Sequence, residues 1–204
     1  MDVARFGDDA TVFFPRQGSF AYEPTVLRKF SNVEVAHNLV AYINECKPKA
    51  VCIDQGQGTG VIDLVRELTR HHPDVSIVEI PFGSRAVKTE KFVNRRAEIW
   101  TAVRDWIRDG GKLPRSEQLL AELAAPTYSY DSQCRIKLEA KEEIKKRLEG
   151  KSTDLVDALA LTFAVHLPSI TSVEWEQAQQ DRDRHPYFFP DGRMGVKRIN
   201  SFWA

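Results

Sequence analysis

The chain has 204 residues (23.3 kDa), 42 % of them apolar and 28 % charged, which is an ordinary globular balance and excludes a mainly disordered or collagen-like protein. That length sustains one sizeable core or at most two small ones. No apolar run reaches the ~18 residues of a membrane span, and Met1-Asp2-Val3-Ala4-Arg5 does not read as the charged-then-apolar start expected of a secretory signal. Lys/Arg and Asp/Glu balance at 29 each. Residues 85–151 nevertheless hold 16 basic against 11 acidic side chains, a basic middle that suits a polyanion beside a carboxylate site as well as it suits an ordinary solvated face.

In chain order, residues 3–6 read as a fragment of a strand. A hairpin turn follows at Gly7-Asp8-Asp9, then a strand at 11–14, a turn at Gln17-Gly18, and a third strand over 20–30 interrupted at Pro24. This is an antiparallel meander. The period then changes: Val33, Ala36, Leu39, Val40 and Ile43 share one helical face, with Ser31 or Asn32 as cap and Pro48 beyond the end. Residues 50–53 are an apolar run without alternation, the mark of a strand buried on both faces. A tight loop is expected over Gln55-Gly56-Gln57-Gly58-Thr59-Gly60, a helix over 61–70 and a second buried strand over 75–80. The clearest helix is expected over 90–108, ended by Gly110-Gly111. A shorter helix follows at 116–124, a hairpin with arms 128–130 and 135–138, a charged helix at 141–148, and a core-facing helix at 152–167. Residues 1–168 thus form one α/β domain. Residues 169–204 change in composition and read as an appendage whose Trp175, Tyr187, Phe188, Phe189, Phe202 and Trp203 are too many aromatics for a free linker. They pack back on the domain or dock on a partner.

Four carboxylates stand out by position. Asp2 starts the first strand, Asp54 ends the buried run 50–53, and Asp154 and Asp157 lie three apart on one face of the last helix. Sites in open α/β sheets form at the carboxyl ends of strands. Converging carboxylates repel and need a hard cation to stay ionised together, and oxygen-only donors favour Mg²⁺ or Mn²⁺. Two such ions ~3.5–4 Å apart suit phosphodiester hydrolysis. Taken singly, each acid also has a plain reading: a polar chain end, a turn residue, a helix cap. The glycines at 56–60 lack the Gly-Lys-Ser/Thr ending of a Walker A loop, and the five histidines (His37, His71, His72, His166, His185) show no metal-ligand pairing. Nor do Cys46, Cys52 and Cys134, whose odd number fits no closed disulfide framework and points to a reducing compartment. Arg95, Arg96, Lys137, Lys141, Lys145, Lys146 and Arg147 are the candidates for phosphate contact, with some expected to face the core or pair with Glu98, Glu142 and Glu143.

Five segments taken together carry a resemblance: Asp2-Val3-Ala4-Arg5-Phe6-Gly7-Asp8-Asp9; residues 51–60 around Asp54; Phe92-Val93-Asn94-Arg95-Arg96-Ala97-Glu98-Ile99-Trp100; residues 130–147; and Lys151-Ser152-Thr153-Asp154-Leu155-Val156-Asp157-Ala158-Leu159-Ala160 with the residues after it. In this order they resemble the nuclease domain of the large terminase subunit of tailed bacteriophages, in the ribonuclease H-like superfamily. The resemblance implies a mixed five-stranded sheet, three antiparallel strands then parallel ones, flanked by helices and carrying a hairpin insertion. It implies a metal-dependent endonuclease cutting double-stranded viral DNA during genome packaging, in the host cytoplasm and away from membranes. The family's metal-binding acids match Asp2, Asp54 and Asp154, with Asp157 as a fourth member holding Mg²⁺ or Mn²⁺. The DNA path matches residues 128–147. The implied partners are a packaging ATPase domain upstream, missing here, together with the portal and the small terminase subunit. Portal or another packaging component would also be the partner of the aromatic tail. This chain departs from the family in starting one residue before its first acid, where apolar strand residues are usual, as in an excised domain or a remnant with a weakened first strand. Two other readings stand beside it: a Holliday-junction resolvase-like nuclease and a non-catalytic docking module for portal or motor.

Overall fold

Proline and the period-2 pattern decide how the first third folds. In the computed structural model, which describes residues 1–4, 10–71 and 74–167, the meander consists of β1 (Thr11–Phe13), β2 (Arg16–Gln17), β3 (Phe20–Ala21) and β4 (Thr25–Leu27). The single strand expected over 20–30 is two. Pro24 has no N–H to give a ladder, and β3 and β4 take different antiparallel partners, β2 and β1. The expected turn at Gly7-Asp8-Asp9 and the tail 169–204 lie outside the described residues.

β5 (Ala50–Asp54) and β6 (Ser76–Ile80) pair in parallel, with Asp54 opposite Ile80. β6 is less buried than a two-sided strand should be, and only Ile80 is fully covered. The five-stranded sheet is not assembled as one ladder, since the described strands pair two by two in four small sheets. The start of the chain lies between two of them. Asp2 N–H donates to the Val12 carbonyl (3.1 Å), the Asp2 carbonyl accepts from Val12 N–H (2.9 Å), and Asp54 N–H donates to the Met1 carbonyl (3.2 Å).

Alternation along these strands feeds two cores. Val12 and Phe14 join Cys52 and Ile80 on one side, under α3 (Arg95–Arg108), α4 (Glu117–Ala124) and α6 (Asp154–Leu161). Phe13 joins Met1, Val3, Val51 and Ile53 on the other, under α1 (Asn32–Cys46) and α2 (Gln55–Leu68). The helix expected from residue 90 starts at Arg95 because Asn94 caps it, accepting from Ala97 N–H at 2.9 Å. Phe92, expected inside that helix, forms a bridge to Ile136 instead and ties it to the hairpin of β7 (Tyr128–Tyr130) and β8 (Ile136–Leu138). α5 (Lys141–Arg147) follows directly. The last helix stops at Leu161 rather than 167, where Arg16 closes its carbonyl end through Thr162 Oγ1 (2.8 Å) and Thr162 O (3.0 Å).

The expected glycine loop is the first half of α2. Glycine costs a helix interior about 1 kcal/mol per residue relative to alanine, and close packing offsets it here. A Cβ on Gly58 would stand 3.1 Å from Ile53 Cγ2 and 3.3 Å from Val3 Cγ2. The helix lies directly on β5 and on the chain start. Gly58→Leu should therefore cost about 2–3 kcal/mol through overpacking, read as a melting temperature lowered by roughly 5–10 °C. A melting temperature within a degree of wild type would show that the junction has room.

Candidate active site

Residues from four places converge around the N-terminal turn of α6. Asp2 comes from the bridging segment beside β1, Asp54 from the last position of β5, Asp154 and Asp157 from α6, and Lys141 from the first turn of α5. Backbone pairing fixes the first two. Asp2 is locked to Val12, and Asp54 is held by Met1 on one side and by the β6 register on the other. Helical spacing fixes the next two, one turn apart.

Asp157 is fully buried and carries the densest set of contacts. Trp100 Nε1 donates to its Oδ1 at 2.7 Å, and Arg96 Nε approaches the same oxygen at 3.4 Å. Its Oδ2 accepts from Thr153 Oγ1 at 2.9 Å and faces Lys141 Nζ at 2.9 Å. Burial alone would push this carboxyl up. Lys141, Arg96 and the hydrogen bonds outweigh burial and hold it below the usual carboxylate range. Asp2 is the opposite case. Burial first, then the charges of Asp157, Asp154 and Asp54, lift its carboxyl to about 8 against the pull of Lys141. Asp54 is also raised by burial, although Lys141 and the backbone N–H groups of Gly56 and Phe82 draw it part of the way back. Asp154 accepts from Ala10 N–H at 2.8 Å. Asp2 feels the charges of the other three sequence-selected acids, and Asp54 feels that of Asp157.

Lys141 sits among them. Burial opposes its charge, but Asp157 and Asp2 keep it protonated above its ordinary value. The sequence marked it for phosphate contact, and the structure pairs it with Asp157. As the side chains stand, no three His, Cys, Asp or Glu groups among the described residues form a ligating cluster. Four acids that offer only oxygen donors still fit hard divalent cations chemically.

The other basic candidates divide. Arg96 is turned into the core, with Nη1 donating to the Glu139 carbonyl (3.1 Å) and its plane near Trp100, while Nη2 is buried without a hydrogen-bond partner. Arg95 pairs with Glu98 at 2.6 Å and reaches the Ala164 carbonyl. Lys137 is exposed on β8, Lys146 pairs with Glu143, and Arg147 pairs with Glu139. Lys145 is half-buried on the same short helix. Three residues of the site went unmarked as polar partners: Trp100, Thr153 and Glu122. The first two were legible in principle, since Arg96 and Trp100, and Thr153 and Asp157, are each four apart, a spacing that stacks side chains on one helical face. Glu122 falls three after Leu119 on the apolar face of α4, where a lone acid needs a partner. Burial, with Asp154 nearby, lifts its carboxyl to about 7.

Known structures share this architecture. The nuclease domain of the large terminase subunit gp2 of bacterial virus Sf6 matches with a TM-score of 0.68 and 19 % identity, over 82 % of this chain and 86 % of that one. A mutant of that domain with manganese and beta-thujaplicinol matches equally well, and a mutant with calcium matches with a TM-score of 0.64 and 20 % identity over the same shares of the two chains. What these structures share with the chain is the fold of a terminase nuclease domain. No family model and no curated protein sequence matches.

The two buried acids dictate opposite pH behaviour. An acid raised in the folded state contributes stability that is complete below its unfolded value, about 3.9, and is lost as pH rises through its folded value. For Asp2 that window runs from about 4 to about 8. Asp157, being depressed, contributes stability above about 3.9 that disappears as acid protonates it. In chelator, the melting temperature should fall between about pH 5 and about pH 8, and Asp2→Asn should flatten that fall. An equal slope in wild type and variant would place the effect elsewhere.

Proposed function

We propose that residues 1–168 are a divalent-metal-dependent DNA endonuclease that cleaves double-stranded viral DNA during genome packaging. The observation that carries the reading is the meeting of Asp2, Asp54, Asp154 and Asp157 on a terminase nuclease fold, with the ionised form of Asp2 disfavoured first by burial and then by the acids around it. The Lys141 ammonium lies against Asp157 and offsets only part of the negative charge felt by Asp2, which leaves the cluster receptive to cations. This supports divalent ions as partners, as do the manganese and calcium named with the structural relatives. Bound Mg²⁺ or Mn²⁺, as a pair, would supply an activated water and a stabilised leaving oxygen. The four aspartates would hold the pair. Asp54 and Asp2 present carboxylates fixed by backbone pairing, so little reorganisation is required of them. Asp157 can join only when Lys141 yields its place, which leaves an ammonium beside the reacting phosphate. Trp100, Thr153 and Arg96 keep the Asp157 carboxylate oriented meanwhile.

DNA would approach across α5 and β8, where Lys137, Lys145, Lys146 and Arg147 are candidates for phosphate contact. Arg95 and Arg96 serve the interior. In this reading an upstream packaging ATPase domain delivers the DNA, and portal and small terminase subunit are its assembly partners. Among the described residues no helix is long and apolar enough to cross a membrane.

Asp54→Asn should abolish cleavage of linear duplex DNA while the far-UV circular dichroism stays unchanged, because an amide cannot supply the charge that two divalent ions require. Full cleavage by that variant would remove Asp54 from the site. Calorimetry with Mn²⁺ is the companion measurement: absence of binding to wild type would favour a docking module over an enzyme.

Duplex affinity should also fall steeply with salt, with each phosphate contact adding about 0.9 to the slope of log K against log salt concentration. Lys145→Ala together with Lys146→Ala should make that slope shallower. A binding constant indifferent to salt would show that this face does not meet phosphates.

A further inference from the structure

α6 begins without a local cap. Thr153, the residue in the capping position, sends its hydroxyl to Asp157 and makes no capping bond. Two N–H groups of its first turn are bound from another element. Glu122 of α4 accepts from Leu155 N–H at 2.9 Å and from Val156 N–H at 3.1 Å through the same oxygen, Oε2. Its other oxygen accepts from Gln118 Nε2 at 2.8 Å, one helical turn back. The Glu122 side chain is 2 % exposed, so water does not substitute for these bonds. Leu155 and Val156 are the two residues immediately after Asp154, and Asp157 follows them. Whatever fixes those two amides fixes the backbone from which both acids project.

We infer that Glu122 is a positioning residue: by capping α6 from α4 it sets where Asp154 and Asp157 stand, and through them the cation affinity of the site. The second half of this inference rests on the nuclease reading above, whereas the capping half does not. The geometry accounts for a feature that packing alone leaves unexplained, a carboxylate on the apolar face of α4 beside Leu119. An acid there is costly unless its acceptors are used, and the unsatisfied end of α6 uses them. Charge acts in the same sense, because a carboxylate at a helix N-terminus opposes the positive end of the helix dipole. Partners of metal-binding residues that touch no metal themselves commonly change affinity when removed.

Two variants separate position from mere stability. Glu122→Gln keeps an amide oxygen able to accept both N–H groups, with Gln118 free to turn its own amide. Glu122→Ala leaves the two amides bare. Hydrogen exchange should show Leu155 and Val156 exchanging faster in Glu122→Ala and near the wild-type rate in Glu122→Gln. Calorimetry should show Mn²⁺ binding roughly tenfold weaker in Glu122→Ala and largely restored in Glu122→Gln. Unchanged exchange at those two amides overturns the inference. So does an Ala variant that melts earlier yet binds Mn²⁺ as tightly as wild type. If wild type itself binds no Mn²⁺, the nuclease reading falls, and exchange alone still decides whether Glu122 holds the helix. Should Glu122→Ala fail to fold, Gln118→Ala takes its place: it frees one Glu122 oxygen, and the same two amides should lose part of their protection, with full protection counting against the inference.

Discussion

A carboxylate with no access to water has to be neutralised by its surroundings, and Asp157 imposes that requirement on three helices at once. Trp100 and Arg96 come from α3, Lys141 from α5, and Thr153 from the residue before α6. Removing any one leaves a buried charge under-compensated, which is more destabilising than a lost surface pair. The elements on this side of the sheet are therefore registered by polar geometry as much as by their apolar faces. Leu155, Leu159 and Leu161 would tolerate a small rotation of α6 against α3, whereas four directed contacts to one carboxyl group would not.

The same logic reaches outward from the core. Arg96 joins Asp157 to the Glu139 carbonyl, at the base of the hairpin and one residue before the capping position of α5. Glu139 in turn holds Thr127 N–H (3.1 Å) and Arg147. The basic surface proposed for DNA and the acids proposed for cations are thus connected by a short chain of hydrogen bonds. The arginine that the sequence placed on the DNA face is what connects them.

Much of this was legible in the sequence, for identifiable reasons. Apolar periodicity with a capping Ser31 marks α1, an unbroken apolar run marks β5 and a largely apolar one β6, and the density of charged residues marks α5. Position at strand ends and helical spacing picked out the four acids. The misreadings arise where tertiary contacts override local preference. Three glycines in six residues look like a loop, but β5 and Val3 lie too close to α2 for side chains at that point. Phe92 fits a helical stripe, but the hairpin offers it a better partner. Arg96 and Lys141 read as surface cations because nothing local reveals that a carboxylate 61 or 16 residues away will be buried against them. Sequence spacing speaks to contacts within one helix and is silent on contacts between helices.

Asp2 and Asp157 show how one cluster can hold acids in contrary states. Both are buried, and both lie near Lys141. The difference lies in their partners: Asp157 receives Trp100, Thr153, Arg96 and Lys141, while Asp2 is held through its backbone and feels the charges of the other acids. Lys141 can neutralise one of the two fully, and geometry gives it to Asp157. The residual repulsion falls on Asp2, where the β1 and β5 pairing prevents the chain from moving away to relieve it. The strand pairing and the two cores packed around it offset the cost of that arrangement. A cation entering the cluster would act first where compensation is poorest, at Asp2, and only then compete with Lys141 for Asp157. The order in which the acids could engage a cation is therefore set by which of them the protein has already satisfied.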